Sequence, residues 1–272
     1  MNKAIAGLLI VIMLAAAVPA AAAAAALELT PTAKSAYDKM LAAADPALSG
    51  QIRSLYNEHL DLQRQAAERD NRIQSLHKVN EETLTALRKQ IKLIDTDKLN
   101  RLDQQAKQAR ERYKPLFALY TSLNQQIAAA KPLKNKELNA VLRMQADSVQ
   151  SAIQLARADI RLKEAALKTA KESAAKTIKL IRGTLAEIDP VKARIKAEKS
   201  SVSSIQKSVS PVWKGFTQAV KKNDVKGACN MLASVVSQSR QIVVLKQRVH
   251  TLESKISEII NKAKAQIPPH AK

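Results

Sequence analysis

Apolar residues recur along most of this chain in alternating steps of three and four. Leu99, Leu102, Ala106, Ala109, Tyr113, Leu116, Tyr120, Leu123 and Ile127 hold that alternation without a break. A mean period of 3.5 residues keeps one stripe turned toward a partner helix, so this is a coiled-coil seam. A second seam runs through Ile52, Leu55, Leu62, Ala66, Ile73, Leu76, Leu84, Leu87, Ile91 and Ile94, interrupted at His59, Arg69 and Asn80. A third passes from Val149 through Ile153, Ala156, Ile160, Leu167, Ala170, Ala174, Ile178 and Ile181 to Ile188. The fourth runs from Ala228 through Leu232, Val235, Ser239, Ile242, Leu245, Val249 and Leu252 to Ile259.

Thr30-Pro31, Asp45-Pro46, Asp189-Pro190 and Ser210-Pro211 each put a capping side chain before a proline. Proline's missing N–H is harmless at the first helical position, and the cap oxygen satisfies an orphan amide, so each pair predicts a helix start. Seams and caps together predict helices over 31–44, 46–94, 97–130, 135–189, 190–209, 211–222 and 225–265, with a kink at Pro115. Connections of two to five residues favour antiparallel neighbours. The fold class expected is all-α: an elongated antiparallel coiled-coil or long-helix bundle, in a single domain over residues 27–272. The stretch 210–231 reads as a helical hairpin, with Trp213 and Phe216 packing the bundle end and Cys229 near Ala228 and Leu232.

The first 26 residues change the picture. One basic residue, Lys3, precedes an apolar run from Ala4 to Val18 and then alanines to Ala26, which is the layout of a secretory signal with A-x-A cleavage spacing. Cleavage after Ala20, or later up to Ala26, predicts an exported protein: extracellular, envelope-associated or periplasmic. The alternative is an uncleaved membrane anchor over residues 4–27, whose 24 residues at about 1.5 Å each would cross a hydrocarbon core of about 30 Å. Pro19 and the weakly apolar alanines favour cleavage. A lipid-anchored lipoprotein is excluded, since no cysteine precedes Cys229.

Cys229 is the single cysteine, so no internal disulfide supports the fold. It is read as a buried thiol, with a disulfide between two chains as the alternative. Aromatics make up 3% and glycines number five, a composition that suits long helices and disfavours sheet or a catalytic α/β domain. Five scattered glycines cannot build a phosphate cradle, and there is no nucleophile elbow. His59, His77, His250 and His270 have no metal-ligand spacing. Glu81, Glu82, Asp95 and Asp97 fall on a helix surface and a helix cap. No catalytic, cofactor or metal residue is assigned, and the protein is read as non-enzymatic.

Charge is the positive signal. Lys and Arg total 45 against 24 acids, a formal +21, which becomes +20 when Lys3 leaves with the signal. Arg161, Lys168, Lys171, Lys179 and Arg182 fall within about 80° of arc at 100° per residue, beside the third seam. A solvated helix face explains such a stripe as well, but self-repulsion of this size points to a polyanionic partner. The partners expected are anionic cell-wall polymers or a membrane surface. Nucleic acid is disfavoured because the basic helices lack interleaved aromatics for stacking on bases. The function expected is an exported structural or interaction protein of the cell envelope, held by charge. The alternative is an extracytoplasmic holdase or scaffold for protein clients, and a homo-oligomer stays open for either.

Overall fold

A computed structural model describes residues 27–268; the expected signal segment and His270 lie outside them. The helices are α1 (Pro31–Ala43), α2 (Pro46–Leu93), α3 (Thr96–Ala130), α4 (Lys136–Ala186), α5 (Ile188–Lys221) and α6 (Val225–Ala265), with one 3₁₀ turn at Lys131–Leu133. Among the described residues there is no strand, and the protein is an all-α long-helix bundle. The first two caps form as the prolines predict. Thr30 Oγ1 accepts from the Ala33 N–H at 3.3 Å, and Asp45 Oδ1 accepts from the Ala47 N–H at 2.8 Å.

Two expectations fail locally. Ser210-Pro211 does not start a helix, because α5 continues through it. Pro211 removes a donor and crowds the carbonyl four residues back. That carbonyl belongs to exposed Lys207, where water can replace the lost bond, while Val209 and Trp213 on either side are buried and hold the helix on course. Pro115 is likewise exposed within an unbroken α3. The second failure is direction, since two of the short connections do not reverse the chain.

Contacts group the described residues into two units. The first comprises residues up to Asn71 together with Ala197–Val249, and the second comprises Arg72–Lys196 together with residues from His250 onward. In the first unit Glu58 pairs with Arg240 and Asp70 with Lys246, so residue numbers rise together and α2 and α6 are parallel. Glu198 meets Arg248 at 4.0 Å and Ser208 meets Gln238 at 3.3 Å, so α5 runs against both. The core holds Ile52, Trp213, Phe216, Leu232 and Val235, covered by Tyr37, Met40 and Leu41 of α1. Tyr37 is pushed up to about 12, mainly by burial. Cys229 is buried in this core, and desolvation raises its thiol pKa. A disulfide between chains would need that side chain brought to the surface.

His59, which interrupts the second seam, is buried in this unit. Its ring stacks on Trp213 with centroids 5.0 Å apart. Nε2 lies 3.0 Å from the Leu27 carbonyl and also meets the Gln63 amide nitrogen, and Nδ1 faces the Ser239 hydroxyl at 3.5 Å. Gln63 donates to the same carbonyl at 3.1 Å. One heptad further on, buried Lys246 donates to the Ala66 carbonyl at 3.3 Å and pairs with Asp70.

In the second unit Glu81 pairs with Lys192 at 2.6 Å, Arg110 with Glu164, and the Ala130 carbonyl accepts from Asn139 at 3.1 Å. Numbers rise along α2 and α3 while they fall along α5 and α4. Thus α3 continues the direction of α2, α5 continues that of α4, and the two pairs lie antiparallel. Asp95, with φ 56°, displaces the chain by one left-handed residue without turning it back. Glu187 keeps helical torsions of −61° and −16°. The long helices reverse at Lys134 and Asn223, both left-handed, in the α3–α4 and α5–α6 connections. Glu253, 1% exposed, accepts from Asn80 Nδ2 at 3.1 Å, lies 3.0 Å from His77 Nδ1, and gives its own carbonyl to Asn80 at 2.9 Å. Ser257 donates to Asn80 Oδ1 at 2.6 Å.

α3 and α4 pair with each other along their length. Their buried positions are largely alanine: Ala106, Ala109 and Ala130 on one, Ala146, Ala156, Ala170 and Ala174 on the other. Small side chains let two helices approach and bury a seam without a third, since interaxial distance follows side-chain size.

Two predictions follow from the buried polar layers. Burial holds the His59 imidazole below its ordinary 6.5. A group depressed in the folded state contributes stability that is whole above its unfolded pKa and is lost as pH falls through the folded one. Urea unfolding should therefore show stability declining as pH drops below about 6.5, before the carboxylates titrate. His59→Gln should flatten that decline, and an unchanged slope would contradict the assignment. Glu253→Ala strands the Asn80 amide and should cost about 1–3 kcal/mol. A double-mutant cycle with Asn80→Ala should show coupling, whereas strict additivity would deny the contact.

Candidate anionic-surface site

All five residues of the predicted stripe, Arg161, Lys168, Lys171, Lys179 and Arg182, are exposed on α4 in the second unit. α4 holds them exposed beside the seam, where Ile153, Ala156, Ala170, Ala174 and Ile181 are buried. None of the five forms an ion pair among the described residues.

Only part of the stripe converges. Lys168 and Lys171 line a shallow groove of about 420 Å³ between α3 and α4, whereas Arg161, Lys179 and Arg182 lie outside it. Across the groove stand Lys107 and Arg110 of α3. Four cations thus meet three carboxylates, Asp103, Glu164 and Glu172. Two of those acids are already engaged, Asp103 with Lys107 at 2.7 Å and Glu164 with Arg110 at 2.5 Å. The hydrogen bond from Lys107 holds the Asp103 carboxyl below its usual range, and the more distant Lys171 contributes to the same shift. Lys168 and Lys171 are left with their charge turned outward.

The groove is not an enclosed anion trap. Its chemistry is that of an open cationic ridge able to meet an extended polyanion or a charged plane, with each exposed ammonium contributing weakly and additively. Glu164, three residues from Arg161, projects within the same sector and interrupts the ridge. Counting acids along the sector as well as bases would have found it. Exposed Leu155, Leu162 and Leu180, at 72%, 70% and 60%, lie on the same helix about 100° or more round from the cations.

The remaining chemistry is sparse. Among the described residues no group of three His, Cys, Asp or Glu side chains is placed to hold a metal ion. Among the same residues no helix is long and apolar enough to cross a membrane. No protein-family model matches this chain, and no curated protein or solved structure matches it significantly.

Proposed function

We propose that this is an exported, non-enzymatic structural or interaction protein of the cell envelope, whose basic helical surface associates by charge with anionic wall polymers or a membrane surface. One observation carries the reading: five exposed cations on one helix face, unpaired among the described residues, in a chain of formal charge +21. A balanced protein would neutralise such a face with neighbouring acids, as Arg110 and Lys107 are neutralised on α3. Retaining it at the cost of self-repulsion makes sense where an external polyanion supplies the counter-charge. Export rests on the sequence of residues 1–26 alone.

The exposed Leu155, Leu162 and Leu180 favour a second reading, an extracytoplasmic holdase that offers apolar and basic surface to unfolded clients.

Binding to an envelope fraction should weaken steeply between low and physiological salt, as the Debye length falls toward about 8 Å. Replacing Lys168, Lys171, Lys179 and Arg182 with Gln should lower affinity with helicity and Tm nearly unchanged, since exposed charges contribute little to stability. Salt-insensitive binding that the variant retains in full would refute the electrostatic reading. Undiminished protection of a client from aggregation in that variant would shift the assignment to the holdase. N-terminal sequencing of the mature protein should begin between Ala21 and Leu27, and recovery of Met1 from membranes would establish the anchor instead.

A further inference from the structure

Among the described residues the α3–α4 hairpin extends past the last helix able to cover it. α6 ends at Ala265, where Gln266 Oε1 accepts from the Thr184 hydroxyl at 3.1 Å. Glu164 lies about 30 Å further along α4, and the hairpin turn lies further still. At the turn the inward seam is already filled. Leu123, Ala130, Leu142 and Ala146 are buried together, with Tyr120, Ile127 and Val149 packed against them. Local hydrogen bonds close the chain reversal: Asn135 Oδ1 accepts from the Leu138 N–H at 3.0 Å, and Asn139 Nδ2 donates to the Ala130 carbonyl at 3.1 Å.

The hairpin's own packing therefore leaves its outward apolar residues unused. Leu133, at the apex, is 70% exposed, Leu138 41% and Val141 49%. Lys131, Lys134 and Lys136, all exposed, surround them with Glu137 as the one nearby acid. Val141 is five residues into α4, about 7.5 Å from its start. That matches the roughly 5–10 Å to which apolar groups sink at the headgroup and acyl boundary.

Charge decides between the occupants such a tip could take. Residues 96–186 carry eighteen Lys and Arg against eight Asp and Glu, so a second copy would bring two strongly positive hairpins together. An anionic bilayer instead offers hydrocarbon to the leucines and phosphate to the ammonium groups, with the lysine stems lying along the apolar surface.

We infer that the α3–α4 turn is a membrane-contact tip, in which Leu133, Leu138 and Val141 enter an anionic lipid surface while Lys131, Lys134 and Lys136 meet its headgroups. The inference rests on the charge-driven association proposed above and narrows its partner to lipid. The basic face of α4 then supplies longer-range attraction, and the tip supplies the hold.

Tryptophan emission tests this on the full chain, because the single native tryptophan, Trp213, is only 7% exposed and should not respond to vesicles. Leu133→Trp should shift to the blue on adding phosphatidylglycerol vesicles and stay unshifted with phosphatidylcholine alone. No shift with phosphatidylglycerol would overturn the proposal. A Leu133→Ser, Leu138→Ser, Val141→Ser variant should keep its helicity and bind phosphatidylglycerol vesicles at least about tenfold more weakly, as expected when three apolar side chains lose their burial. If only the variant with glutamine at Lys168, Lys171, Lys179 and Arg182 loses binding, the tip is overturned and the charge-driven reading stands. If the same glutamine changes made in the Leu133→Trp protein leave the blue shift intact and the serine variant does not bind, the tip is supported and the α4 face is dismissed as the anchor. A serine variant that changes oligomeric mass but binds vesicles normally would assign the tip to a second copy and overturn the lipid proposal.

Discussion

Heptad seams can hold long helices together, but they cannot say where along one another the helices stop. Sliding by seven residues leaves every apolar stripe in contact. Here the buried polar residues of α6 remove that degeneracy. Ser239, Lys246 and Glu253 follow one another at intervals of seven, all buried, and each has a different chemistry. Each meets its complement on α2: His59 for Ser239, Asp70 for Lys246, and His77 with Asn80 for Glu253. In the first unit a slip of seven in either direction takes the buried Lys246 ammonium away from Asp70; in the second, a slip toward Leu87 leaves the Glu253 carboxyl buried without a partner. Either costs several kcal/mol, far more than the layers contribute in their own register.

The second organising fact is where the third helix ends. Alongside α6 the buried positions are large and branched, as at Leu84, Leu87, Ile181, Ile256 and Ile260. On α3 and α4 alanine takes over, and two helices close directly on each other. An alanine seam is narrow, so it buries little of the remaining circumference. The cations of α4 stay outward there, and so do Leu133, Leu155 and Leu162. The surface that carries the proposed function is thus a by-product of how a two-helix segment packs.

Much of this was legible in the sequence because periodicity and capping are local properties. α6 begins and ends where its seam predicts, and Trp213, Phe216 and Cys229 occupy the core beside Leu232. The gaps in the second seam at His59 and Asn80 marked the polar layers without naming their partners. The fourth seam ran through Leu245 and Leu252, which are half-buried, and so missed Lys246 and Glu253 one position on. Their interval of seven was the available signal. Chain direction was not legible. Glu187 keeps helical torsions and Asp95 a single left-handed residue, and neither a short connection nor a proline reveals whether the chain turns back. Pro211 misled because its position on an exposed helix face, which makes it tolerable, depends on tertiary packing.

The register of α2 against α6 is the claim on which the rest stands, and site-directed crosslinking measures it most directly. With Cys229 replaced by Ala, cysteines are placed at Glu58 and Arg240, whose side chains meet at 2.5 Å, or at Glu58 and Gln247, one heptad further along. A short bis-maleimide reagent should join the first pair within one chain and leave the second open. Efficient joining of the second pair, or equal joining of both, would show that the polar layers do not fix the register and would contradict the account.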